Sequence, residues 1–218
     1  TGDKISTTVS IAYQLDTEID NNGNKLYKIV PSTQKHNVFI WFPAEKEDSH
    51  LKFLINAPFA CEISRASIRD TQDNAKLLSI LVELQKESLF WIKDNNMLST
   101  DFLRILPNRD DDLPDAYKGF HSEIIKLFQE ESLTPTKTGE FAPASGLFVS
   151  EERIDTFLSD DELAQILNLE ETDDNWQSPM WVKNASQKNS RSDKFLHDLD
   201  IRSYSWYELF RHLIKIFD

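Results

Sequence analysis

Four side chains in this sequence have the types and spacing for chemistry: Ser64, Arg65, Ser67 and Arg69, inside the stretch Leu51–Asp70, LKFLINAPFACEISRASIRD. The stretch opens as a strand and ends in a helical pattern. A helix N-terminus beside an arginine offers backbone N–H groups and a cation together, a combination that suits an anion such as phosphate. An arginine aimed from one domain at a nucleotide held by another can stabilise charge during phosphoryl transfer. On this reading Arg65 and Arg69 carry the catalytic charge, and Ser64 and Ser67 face the ligand. Ser64 or Ser67 is also expected to cap the helix that starts there. The competing reading is plainer: Arg65 and Arg69 pair with Glu62, Asp70 or Asp73 on a helix surface, where such pairs contribute only ~0–1 kcal/mol.

The rest of the chain supplies no catalytic centre of its own. Its five glycines, Gly2, Gly23, Gly119, Gly139 and Gly146, lie too far apart for GxGxxG or a phosphate loop, and no GxSxG elbow exists. The histidines at 36, 50, 121, 197 and 212 are scattered, and none makes HExxH. The acidic run Asp110–Asp112 reads as a solvated turn; a metal site is the alternative, but no ordered ligand pattern surrounds it. No metal is expected. Cys61, in an apolar run, reads as a buried structural thiol. As the single cysteine it forms no internal disulfide, which implies a reducing compartment and a cytoplasmic location.

These residues need elements to position them. Ile5–Leu15 alternates as a half-buried strand, DNNGNK (20–25) turns, and Leu26–Val30 returns. Val38–Phe42 is apolar on both faces, which predicts a strand inside the sheet. Leu51, Phe53 and Ile55 make a fourth strand. Short strands joined by turns predict antiparallel pairing. From Asp73 to Lys93 the period becomes helical, through Leu77, Leu78, Leu81, Leu84, Leu89 and Ile92. A second helix covers Ala116–Glu130, and short strands follow around Gly139 and Gly146. Ser159 with Glu162, and Ser205 with Glu208, have capping-box spacing before apolar runs. Between them, LEETDDNW (169–176) and NASQKNSRSD (184–193) read as polar connectors. The fold class is therefore α+β: a mainly antiparallel sheet packed with long helices over residues 1–131, then a smaller, mostly helical part with a short strand pair over 132–218.

Composition bounds the partners. The chain has 218 residues, is 39% hydrophobic and carries a formal charge of −13, so its surface repels phosphate backbones and direct nucleic-acid binding is not expected. No apolar run approaches the ~20 residues that span a bilayer, so no membrane contact is expected either. The chain opens at Thr1 without a signal peptide or initiator Met and reads as an excised piece of a longer protein.

VFIWFPAEKEDSHLKFLINAPFACEISRASIRD (38–70) resembles the segment that follows the nucleotide-binding domain in sacsin-type members of the GHKL ATPase superfamily. The residues that carry the likeness are Phe42, Pro43, Leu51, Phe53, Ile55, Asn56, Phe59 and Arg65 or Arg69. ISRASI (63–68) is also similar to the I-S-R loop in the middle domain of the ninety-kilodalton heat-shock chaperones, whose arginine reaches the γ-phosphate of ATP. In those chaperones a longer segment separates an A-P-F-like motif from the loop. Here the two almost touch, which leaves Arg65 and Arg69 both open. Weaker likenesses cover LTPTKTGEFAPASGLFV (133–149) and DKFLHDLDIRSYSWYELF (193–210). The resemblance implies a middle-domain-like βαβ sandwich, no cofactor in this segment, ATP and magnesium in the parent protein, and the upstream ATP-binding domain as partner. It implies a non-catalytic transducer that relays nucleotide state. The alternative is a protein–protein interaction module, binding a client or partner, with no nucleotide role.

Overall fold

The structure is a computed structural model that describes residues 7–19, 22–168 and 179–217. It mixes five α-helices with four small sheets of two or three strands among the described residues, an α+β arrangement. Strand β1 (Ser10–Ala12) leads directly into β2 (Gln14–Ile19), which pairs antiparallel with β3 (Lys25–Val30). In this hairpin Leu15 lies opposite Ile29 and Asp16 opposite Lys28. Lys28 Nζ also lies 2.6 Å from Asp101 Oδ2, an ion pair without hydrogen-bond alignment.

The expected strand Val38–Phe42 is a correction. Only β4 (Val38–Phe39) is extended; the chain then turns through Trp41 at φ 64, closed by a bridge between Phe39 and Pro43. Trp41 is 73% exposed, so only the Val38–Ile40 side of that segment enters the core. β5 (Leu54–Asn56) is shorter than expected and pairs antiparallel with β1 but parallel with β4. The expected antiparallel pairing thus holds between β1 and β5 and does not between β4 and β5. The parallel return from β4 to β5 is locked by the buried side chain of Asn37, which donates to Leu51 O (3.1 Å) and accepts from Ser49 N (3.2 Å).

The long helix α1 (Gln72–Asp94) follows, with Leu78, Leu81, Leu89 and Ile92 on its buried face as the periodicity predicts. Asp115–Tyr117 forms a single 3₁₀ turn before α2 (Gly119–Glu130), which buries Phe120, Ile124 and Phe128 at four-residue steps and packs on α1. Phe53 bridges sheet and helices, with ring centroids 5.5 Å from Tyr13 and 6.0 Å from Phe120.

Two further strands, β6 (Thr134–Pro135) and β7 (Phe141–Ala142), pair antiparallel. They are followed by β8 (Leu147–Ser150), α3 (Asp160–Asn168), β9 (Met180–Trp181), α4 (Arg191–Asp198), β10 (Arg202–Tyr204) and α5 (Trp206–Phe217). β8 is the centre of a parallel sheet, with β9 and β10 on either side. Both predicted capping boxes form: the Glu162 carboxylate accepts from Ser159 N at 2.8 Å, and the Glu208 carboxylate from Ser205 N at 2.7 Å. The connector 169–176 lies outside the described residues; in the other, Ser190 caps α4 by accepting from Asp193 N.

The larger hydrophobic cluster runs from Ile29 to Leu199 and crosses residue 131, where the sequence places a division. Phe128 and Phe195 meet edge to face across that point, at 5.1 Å. A smaller cluster, Phe148, Ile154, Leu158, Leu163, Trp181 and Tyr204, sits between the parallel sheet and helices α3 and α5.

Asp110–Asp112 is more than a solvated turn. Arg191 at the start of α4 grips both oxygens of Asp111 and donates to the carbonyls of Arg104 (2.8 Å) and Leu106 (3.2 Å). Burial alone would raise the Asp111 pKa; hydrogen bonds from Arg191 and the Asn108 backbone, with the Arg191 charge, outweigh it and hold the carboxyl below its ordinary value.

Candidate functional site: the 61–70 hairpin

Residues 61–68 form a tight hairpin rather than the foot of a helix. Cys61 and Ile68 bridge antiparallel, Glu62 N donates to Ser67 O (3.0 Å), and Arg65 N donates to Glu62 O (2.8 Å). α1 begins only at Gln72, where Thr71 Oγ1 accepts from Asn74 N (3.2 Å). Thr71 is therefore the cap, and the expected capping by Ser64 or Ser67 is corrected. The reason is geometric: the chain must finish the hairpin and leave the Cys61–Ile68 bridge before three consecutive residues can turn helical. The Ser64 hydroxyl instead accepts from Ala66 N (3.4 Å) inside the turn. Ser67 supplies its backbone carbonyl to the hairpin ladder.

Three groups brace the hairpin from outside. Asn74, 2% exposed, donates to Ala60 O (2.8 Å) and Arg69 O (2.7 Å) and accepts from Ala60 N (2.8 Å). Glu47 accepts from Ile68 N (3.1 Å) through one oxygen and from the Tyr117 hydroxyl (2.8 Å) through the other. Lys46 N donates to Ala66 O (2.8 Å). Tyr117 is fully buried, and burial, followed by the charge and hydrogen bond of Glu47 and the charge of Asp48, pushes its phenol far above the ordinary range. It therefore stays protonated and donates. None of these braces was singled out from the sequence. Thr71 with Asp73 in the first turn is the signal that would have placed the helix start, and Asn74 three residues after Thr71 is the buried polar side chain on its inner face.

The hairpin separates the two arginines. Arg65 sits in its turn at φ 57, exposed, with its guanidinium carbon 5.9 Å from the centre of the Phe42 ring. Ile63 beside it is 95% exposed. Arg69 lies past the bridge and lines a groove of about 530 Å³ with Glu47, Thr71, Asn74, Leu78 and Asp115. The N-terminus of α1 opens into that groove, but Glu47, Asp70 and Asp115 give it a mainly acidic rim. Among the described residues no carboxylate lies within 4.0 Å of the Arg65 or Arg69 guanidinium; Asp73 pairs with Lys76 instead (3.3 Å). The surface ion pairs expected as the plainer alternative do not form.

Elsewhere, one histidine is drawn into a cluster. The Asp198 carboxylate, 2% exposed, accepts from Arg109 N (2.7 Å), from the Arg109 guanidinium and from His121 Nε2 (2.9 Å). This joins α4 to α2 and the 106–115 loop. Hydrogen bonding to Asp198, then its charge, raises the Arg109 pKa. Cys61 is half-buried and free. Among the described residues no group of three metal-ligating side chains gathers, and no helix is long and apolar enough to cross a membrane.

Compared with known proteins, the chain matches no family model, no curated protein and no solved structure.

Proposed function

We propose that this chain is a non-catalytic, transducer-like segment of a sacsin-like GHKL ATPase, whose 61–68 hairpin presents Arg65 to ATP and magnesium held by an upstream domain. The observation that carries this is Arg65 itself. It occupies a left-handed conformation that costs a non-glycine residue ~1–2 kcal/mol, at the tip of a turn tied down by Asn74 and Glu47, with no carboxylate partner among the described residues. The backbone that carries this exposed guanidinium is held in place, which supports a role in charge stabilisation during phosphoryl transfer. Arg69 is the second candidate; its acidic groove suits a phosphate less well. With the Ser64 hydroxyl engaged in the turn, Ser67 is the hydroxyl better placed to face nucleotide. The middle-domain-like sandwich and a cytoplasmic location belong to the same proposal.

In the parent protein, Arg65→Ala and Arg65→Lys should each slow ATP turnover, by roughly 10³–10⁵ where the arginine acts as a true finger. Lysine lacks the planar fork that matches phosphate oxygens, so it should not rescue. Wild-type turnover in both Arg65→Ala and Arg69→Ala would end this proposal. The interaction-module alternative is favoured by Trp41 and Ile63, 73% and 95% exposed, on the turns that flank Arg65. It would then stand.

A further inference from the structure

We infer that the groove beside the hairpin, between the first turns of α1 and residues 115–119, seats an extended segment of a partner protein that carries one lysine or arginine. The groove has a volume of about 530 Å³, and Arg65 does not line it, so the inference goes beyond the role proposed for that residue. Its deeper lining is apolar, with Leu78 and Val82 each 6% exposed. Small residues, Ala75, Ala116 and Gly119, keep it open. Even a Cβ on Gly119 would touch Val82 Cγ2, at 3.5 Å. Charge enters at the rim, where Glu47, Asp70 and Asp115 stand with one arginine, Arg69. Asp115 is already paired with Lys118 (2.5 Å). Half-buried Glu47 accepts from two neutral donors, Ile68 N and the Tyr117 hydroxyl. Neither Glu47 nor Asp70 has an ion-pair partner among the described residues. Two unpaired carboxylates against one guanidinium leave one negative charge in excess, and a half-buried carboxylate gains from a counter-charge.

Charge and size together select the occupant. Lysine and arginine lay an aliphatic stem along apolar surface and keep the charged head at a polar edge, which matches an apolar groove with a carboxylate rim. The net charge of the chain, −13, attracts a basic partner. From Thr71 to Val82 the groove follows about 16 Å of α1. That length takes roughly five extended residues at ~3.3 Å each. A helix, ~10 Å wide, would need more than about 1,000 Å³ over the same length. A free polyamine that long brings several cations where one is balanced. A bare metal ion is not served, since no three ligating side chains gather among the described residues.

The test titrates the isotope-labelled 218-residue chain with blocked pentapeptides, Ala-Val-X-Ala-Ala, in which X is Lys, norleucine or Glu, and follows the amide shifts by NMR. The Lys peptide should shift residues 70–79 and 115–119 saturably. The norleucine peptide has the stem without the charge and should bind at least about tenfold more weakly, and the Glu peptide more weakly still. Glu47→Gln and Asp70→Asn should each weaken the Lys peptide about threefold or more. Ala75→Phe should weaken it about tenfold or more, by filling the groove. Asp70 and Ala75 are exposed, so these two variants decide the matter if Glu47→Gln loosens the hairpin. Equal binding of the Lys and norleucine peptides, no saturable shift, or binding unaltered by both Asp70→Asn and Ala75→Phe would overturn the proposal. So would spermidine binding more tightly than the Lys peptide, which would make the ligand a free amine. Concentration-dependent dimerisation lost in Ala75→Phe would give the groove to a second copy and overturn it too.

Discussion

The side chain of Asn74 closes a two-way pair of hydrogen bonds with the backbone of Ala60, accepting from its N–H and donating to its carbonyl, each at 2.8 Å. A third bond, to Arg69 O at 2.7 Å, ties both ends of the hairpin to the first turn of α1. One buried amide therefore sets the position of Arg65 relative to the longest helix.

Asn74→Ala leaves two backbone groups at the base of the hairpin, Ala60 N–H and Arg69 O, without a partner, while Ala60 O keeps its bond from Arg69 N at 2.9 Å. Each such group costs about 1–3 kcal/mol when buried, and the two are coupled and partly exposed, so a loss of about 1–3 kcal/mol is expected. Asn74→Asp should also destabilise, because a carboxylate can serve the Ala60 N–H but faces two carbonyl oxygens. Urea unfolding measures the loss, and amide exchange should quicken first in residues 61–68. An unchanged unfolding midpoint for both variants would show that the hairpin is held elsewhere.

What the sequence reveals here divides by distance along the chain. The capping boxes at Ser159 and Ser205 and the stripe of α1 rest on contacts within a few residues, and all are found where the periodicity and spacing put them. The hairpin is not legible, because its braces come from Asn74, Glu47 and Tyr117, brought in by the fold. Parallel pairing of β4 with β5 depends on Asn37, and the role of Asp111 depends on Arg191, 80 residues away. Neither leaves a local pattern. Trp41 misleads for a different reason: an apolar alternation reads as a strand even where the chain turns left-handed and ejects the ring.

Arg191→Lys keeps the charge beside Asp111 but loses the fork that serves a carboxylate and two carbonyls together. Hydrogen bonds involving charged groups contribute about 1.5–3 kcal/mol each, so a loss in that range is expected, less what partial exposure screens. The Asp111 pKa is depressed in the fold. Its contribution is therefore present above the ordinary carboxylate pKa and is lost as pH falls through the folded value. Wild type should lose stability on acidification more steeply than Arg191→Ala. Parallel acid titrations of the two would refute the pairing.

Two tyrosines, half-buried Tyr13 and buried Tyr117, act at the other end of the pH scale. Burial lifts the Tyr13 pKa to about 12, against a partial lowering by the Ser88 hydrogen bond. A raised pKa means that the folded chain holds its proton more tightly. The stability is full below an unfolded value of about 10 and is lost as pH rises through about 12. Tyr13→Phe removes that dependence, worth about 3 kcal/mol in all for a shift of this size, and should flatten stability above pH ~10. Tyr117 behaves alike, so phenolate absorbance from both should emerge only with unfolding. Early titration of all five tyrosines would contradict this.

Arg65 offers a way to separate folding from function. Glycine accepts its positive φ without a clash, so Arg65→Gly relieves the ~1–2 kcal/mol that the left-handed turn costs a residue with a Cβ. Against this stand the lost contact with Phe42, ~0.5–1 kcal/mol at an exposed site, and the greater freedom of glycine in the unfolded chain. The melting temperature of Arg65→Gly should therefore match or exceed that of Arg65→Ala, which keeps the strain and loses the cation. If the guanidinium completes a nucleotide site elsewhere in the parent, both variants should lose ATP turnover equally there, whatever their stabilities. The isolated chain should show no measurable ATP binding by calorimetry, because one arginine cannot offset the ~4–15 kcal/mol of lost translational and rotational freedom. Turnover that follows stability across the two variants, high in Arg65→Gly and low in Arg65→Ala, would mean that the hairpin matters for its shape and not for its charge.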